Sequence, residues 1–98
     1  MRVPEADPPF RLDFTNRFEE ELELLLGLSR GAEALEGLEV ILRRDPREQG
    51  QPIPDTDMRV IHVQAPASSR QFAVYYRVEG TGTVLLLSLF PVDPAELG

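Results

Sequence analysis

His62 is the only histidine in the chain, and its side chain is the one type here that gains and loses a proton near neutral pH without help from its surroundings. It is therefore the natural proton carrier for any acid–base chemistry. Arg59, Arg70 and Arg77 bracket it in sequence and offer charge to meet a developing anion, while Tyr75 and Tyr76 offer phenolic donors. Residues 58–65 and 71–78 both read as strands, so a two-residue period decides which of these groups share a face. Arg59, Ile61, Val63 and Ala65 fall on one face and Met58, Val60, His62 and Gln64 on the other, so His62 and Arg59 diverge unless a bulge intervenes. Tyr75 shares a face with Arg77. Tyr76 points the opposite way, so that one tyrosine fills the core and the other meets solvent or a partner. Each group also has a plainer role: His62 as a structural or exposed residue, the tyrosines as packing, the arginines as partners of the many carboxylates.

Those carboxylates set the electrostatic background. The 98 residues carry 10 basic and 17 acidic side chains, a net charge of -7, and every basic residue is arginine. Residues 1–45 hold eleven acidic side chains against six arginines, and residues 46–98 hold six against four. Polyanion binding needs clustered cations that displace counterions, so only the second half is a plausible anion-facing part. The absence of cysteine removes disulfides, thiolate metal sites and a cysteine nucleophile. One histidine does not make a multi-histidine zinc site, and Asp55 with Asp57 lack the further ligands a divalent cation needs. No metal or cofactor is expected. The opening residues lack an apolar core of signal-peptide length and the longest apolar run is too short for a bilayer, so a cytoplasmic protein is expected.

The elements that must position these residues can be read in order. Residues 1–9, with Pro4, Pro8 and Pro9, read as a mobile leader. Phe10, Leu12 and Phe14 alternate with polar residues as a short strand expected at a sheet edge. Thr15 and Asn16, with Glu19 three residues after Asn16, form a polar cap, so a helix is predicted to start at Asn16. Phe18, Leu22, Leu25 and Leu26 make its apolar face. Gly27, Ser29 and Gly31 interrupt the pattern, and a second helix, antiparallel to the first, is expected from Gly31 or Ala32. Its face is Leu35, Leu38, Ile41 and Leu42, with Arg43 and Arg44 in the last turn and Gly37 allowing close packing. Asp45-Pro46 stops it. Residues 46–57 read as loop. Strands are predicted at 58–65, 71–78 and 83–90, joined by turns at 66–69 and 79–82, with the apolar last strand central and 92–98 as a tail. The fold class is α+β: a short N-terminal strand, a two-helix antiparallel hairpin and a three-stranded antiparallel meander.

Ala34-Leu35-Glu36, Leu38, Leu42, Asp45-Pro46 and Gly50, followed by Met58-Arg59-Val60, the run Phe72 to Val78 and the run Val84 to Leu87, appear in this order within residues 10–91. That arrangement resembles the RelE/ParE superfamily of small bacterial toxins. The resemblance implies a toxin of a type II toxin–antitoxin module, held inactive by an antitoxin that wraps its helices and sheet. RelE-like members cut messenger RNA in the ribosome with basic residues and a tyrosine or histidine on the concave sheet face, a set that Arg59, His62, Arg70, Tyr75 and Arg77 would supply here. ParE-like members poison DNA gyrase without an obvious catalytic centre, and a catalytically silent binding module is a third outcome. Tyr76 fits the family's tyrosine position in the third strand, while Ala73 occupies its arginine position and Phe90-Pro91 stands where basic or histidine residues are common. Exposed strand edges in such a topology could also pair two copies of the chain.

Overall fold

The computed structural model describes residues 10–64, 70–80 and 82–92. Its elements are β1 (Arg11–Phe14), α1 (Asn16–Leu42), β2 (Gln51–Pro52), β3 (Met58–Gln64), β4 (Gln71–Glu79) and β5 (Thr83–Val92). They form one sheet in the order β1-β5-β4-β3-β2, with β1 parallel to β5 and the other neighbours antiparallel. The α+β class and the N-terminal edge strand agree with the sequence reading. The three-stranded meander does not describe the sheet, which has five strands. Its extra members are β1 itself and β2, a two-residue strand inside the stretch read as loop. The leader at 1–9, the turn at 66–69 and the tail beyond Val92 lie outside the described residues.

The expected two-helix hairpin is also corrected. One helical element runs for 27 residues, and only Gly27 leaves helical geometry, at φ 80° and ψ 174°. Neither Ser29 nor Gly31 interrupts it. Residues nine apart in a straight helix are separated by roughly 13 Å along the axis, yet a Cβ on Gly31 would lie 3.1 Å from Leu22 Cγ. The kink at Gly27 therefore folds the two arms of α1 towards each other. Close approach falls on Gly31; Gly37, expected to serve that purpose, faces open space. Gly37→Ala should consequently stabilise the protein by about 0.5–1 kcal/mol, since alanine restricts the unfolded chain and meets no neighbour. A thermal melt reads this directly, and an unchanged or lower midpoint would contradict it.

The helical element begins at Asn16, as the sequence reading expects, and ends at Leu42, short of the Asp45-Pro46 stop. Thr15 is the cap: its Oγ1 accepts from the Phe18 amide and donates to the Leu87 carbonyl, fixing the helix start to β5. At the other end α1 stops at Leu42, so Arg43 and Arg44 lie past the last turn. Arg43 Nε donates to the Phe10 carbonyl at 2.9 Å and the Phe10 amide donates to the Arg43 carbonyl at 2.8 Å, which ties the helix exit to the entry of β1.

The core lies between α1 and one face of the sheet. Phe18, Leu22, Leu38 and Leu42 pack against Phe72, Val74 and Tyr76 of β4 and Val84, Leu86 and Leu89 of β5. Burying each such side chain contributes about 1.5–3 kcal/mol. Tyr75 pairs with Ser88 but Tyr76 with Leu86, leaving Leu87 as an inserted residue. That bulge shifts the phase of β5, so Leu89 enters the core and Phe90 points outwards, against strict alternation from Leu86. The strand continues through Pro91 to Val92, past the end expected at Phe90. Proline is tolerated there because its nitrogen faces the same side as the Leu89 amide, where β1 has already ended. The Leu89 amide on this edge is satisfied by Glu21 Oε1 at 3.1 Å.

Candidate functional site

Register sorts the candidate residues onto two faces. On the outer face, away from α1, β3 presents Met58, Val60 and His62, and β4 presents Ala73, Tyr75 and Arg77. The cross-strand pairs are Met58 with Arg77, Val60 with Tyr75 and His62 with Ala73. His62 is thus a diagonal neighbour of Tyr75, whereas Arg77 lies two pleats away, roughly 13 Å along the strand direction. β5 adds Leu85 beside Arg77, Ser88 beside Tyr75 and Phe90 beside Ala73.

Arg59 is not part of this group. It faces α1 beside Tyr76, where its Nε donates to the Gln49 carbonyl at 2.9 Å and its Nη2 to the Gly50 carbonyl at 3.3 Å. The Tyr76 hydroxyl lies 2.7 Å from both the Pro46 and Gln49 carbonyls. Together the two side chains clamp the chain between α1 and β2 onto the sheet. Burial pushes the Tyr76 phenol above its ordinary value of 10.0, and the hydrogen bond and charge of Arg59 oppose that rise. Arg70 precedes β4 on the core side of the alternation, with its guanidinium 5.6 Å from the ring centre of Phe72.

Arg77 does face outwards, but two carboxylates hold it: Glu79 at 2.7 Å and Asp57 at 3.9 Å. Anions beside a guanidinium oppose the approach of a phosphate as much as the guanidinium favours it. Of the five sequence candidates, the structure brings together His62 and Tyr75, keeps Arg77 on the same face at a distance, and directs Arg59 and Arg70 elsewhere.

The sequence reading missed what surrounds Tyr75. Its ring meets that of Phe90 edge-on, with centroids 5.6 Å apart, and the Arg17 guanidinium lies 5.7 Å from the Phe90 ring centre. With Val60, Ala73 and Leu85 these residues make an outer face that is mostly apolar. The bulge at Leu87 puts Phe90 there, and no residue type at that position announces it.

No family model and no curated protein matches the chain. Solved structures do. The chain is similar to the RelBE2 toxin–antitoxin complex from Mycobacterium tuberculosis, at 20% identity with a TM-score of 0.63 over 86% of this chain and 99% of that one. It is similar to the chromosomal ParDE toxin–antitoxin system from P. aeruginosa, at 17% identity and TM-score 0.58 over 86% and 97%. The E. coli toxin RelE, solved free as a double arginine-to-alanine mutant, gives 22% identity and TM-score 0.61 over 92% and 90%. No helix among the described residues is long and apolar enough to cross a membrane. The edge strand, kinked helix and five-stranded mixed sheet of this chain thus share the fold of these RelBE2, ParDE and RelE structures.

Proposed function

We propose that this chain is the toxin-fold member of a toxin–antitoxin pair and that it acts by binding a protein target, in the manner of ParE, and not by cutting RNA. The observation that carries this reading is the fate of the arginines. Arg59 is spent on the Gln49 and Gly50 carbonyls and Arg77 on Asp57 and Glu79, so neither is directed to the space above His62. Cleavage by 2′-hydroxyl attack needs a proton acceptor and a cation within hydrogen-bond reach of one phosphate. An apolar sheet face carrying Tyr75 and Phe90 suits protein recognition better, because aromatic anchors dominate such contacts. An antitoxin is the natural neutralising partner, as in the RelBE2 and ParDE assemblies. Ribosome-bound messenger RNA, the RelE-like target, rests here on His62 and Tyr75 alone.

Expression in a host without the partner is expected to arrest growth. Phe90→Asp, which places a charge on the apolar face without touching the core, should relieve the arrest, and His62→Ala should not. Gyrase supercoiling measured with the purified chain is expected to fall. Arrest that disappears with His62→Ala and persists with Phe90→Asp would reverse the proposal.

A further inference from the structure

β1 ends at Phe14, opposite Leu86, and among the described residues no strand follows it along that side of β5. The first turns of α1 cover this edge instead. Thr15 Oγ1 donates to the Leu87 carbonyl at 2.9 Å, the Leu89 amide donates to Glu21 Oε1 at 3.1 Å, and Pro91 has no amide to satisfy. A carboxylate accepting from a backbone amide makes a stronger hydrogen bond than a neutral acceptor does. The other oxygen of the same carboxylate lies 3.7 Å from Nε of Arg17, one helical turn earlier. Arg17 in turn reaches past the open edge to the outer face, where its guanidinium lies 5.7 Å from the Phe90 ring centre. Tyr75 meets the same ring edge-on. Phe90 is 40% exposed near the end of its strand, and a ring so placed samples several rotamers unless its neighbours select one.

We infer that Arg17 and Glu21 are positioning residues for the target-binding face: Glu21 fixes the β5 backbone at Leu89 and the direction of Arg17, and Arg17 holds the Phe90 ring against Tyr75. The inference rests on the proposal that this face recognises a protein target, and it makes the start of α1 part of that recognition. A ring held in one rotamer before contact loses less entropy on binding, so the chain from Glu21 to Phe90 sets the affinity without contributing contact area. A carboxylate that merely capped the β5 edge would stabilise the fold without acting through Phe90.

The test combines nuclear magnetic resonance with potency, both in the full chain. The Leu89 amide of Glu21→Ala is expected to exchange with solvent about tenfold faster than in wild type, and the Phe90 ring of Arg17→Ala to average over rotamers. Potency is the amount of expressed chain that halves growth. Glu21→Ala should raise that amount about tenfold and Arg17→Ala about threefold, the scales of a charge-assisted hydrogen bond and an exposed cation–π contact. Glu21→Gln keeps an acceptor for the Leu89 amide and should stay within about threefold. Glu20→Gln, exposed on the same turn, should match wild type. In a Phe90→Leu background Arg17→Ala should have no further effect, because the ring through which it acts is gone. If Glu21→Ala does not fold, Arg17→Ala carries the test, since that side chain is 67% exposed. An unchanged Phe90 ring in Arg17→Ala, or an additive loss in the Phe90→Leu background, would overturn the inference. Arrest relieved by Phe90→Asp yet untouched by Glu21→Ala and Arg17→Ala keeps the face and removes the positioning role. Arrest that ignores Phe90→Asp removes the face and the inference with it.

Discussion

Tyr76→Ala is expected to cost about 3–5 kcal/mol of folding stability, the range for emptying a fully buried aromatic site. The ring is completely buried at the centre of the core, between the helix arms and the neighbouring strands. Its hydroxyl adds a separate contribution, because it reaches the Pro46 and Gln49 carbonyls. Tyr76→Phe keeps the packing and removes that contact, so it should cost about 1–3 kcal/mol. Denaturant unfolding distinguishes the two, and a Phe variant as stable as wild type would show that the hydroxyl contributes nothing to holding the chain after α1. The pH dependence follows from the same burial. A phenol whose folded pKa is raised holds its proton longer in the folded state than in the unfolded one. Its stabilisation is complete below pH 10 and is lost as the pH rises through the folded value. Stability should therefore decline above about pH 10, and Tyr76→Phe should flatten that decline.

Gly50 carries the second large effect. Its φ of +64° suits glycine, and a Cβ there would lie 2.5 Å from the Val60 carbonyl oxygen and 3.0 Å from its carbon. These are backbone atoms in β3 and cannot swing aside. Gly50→Ala is expected to cost about 3 kcal/mol or more, combining the unfavourable left-handed conformation with the displaced strand. Gly80, at φ +61° with nothing within 4 Å of its added Cβ, provides the comparison: Gly80→Ala should cost only about 1–2 kcal/mol. Similar losses at the two glycines would mean that β3 gives way without cost.

The contrast between these positions explains what was legible in the sequence. Strands β3, β4 and β5 announce themselves by β-branched and aromatic runs, and alternation correctly separated Tyr76 from Tyr75 and His62 from Arg59, while leaving open which tyrosine fills the core. The register events were not legible. An inserted Leu87 in a run of near-identical apolar residues leaves no local mark, yet it turns Phe90 outwards and Leu89 inwards. The helix reading failed for a related reason. Gly27, Ser29 and Gly31 each lower helix propensity, and propensity alone does not reveal that a single glycine absorbs the whole kink while the next turn resumes at once. Two-residue β2 is set by its pairing with Val60 and Arg59, a tertiary contact, so its residues look like loop. For the site, residue types marked the arginines as candidates but not their partners. Asp57, Glu79, Gln49 and Gly50 claim Arg77 and Arg59 only once the strands are paired.

The central claim is that a RelE/ParE fold here carries a protein-binding face in place of an RNA-cutting one. Mapping the 5′ ends of ribosome-bound messenger RNA after induction of the wild-type chain tests it most directly. The expected result is growth arrest with no new ends. New ends at defined codon positions, lost on His62→Ala or Arg77→Ala, would contradict the claim.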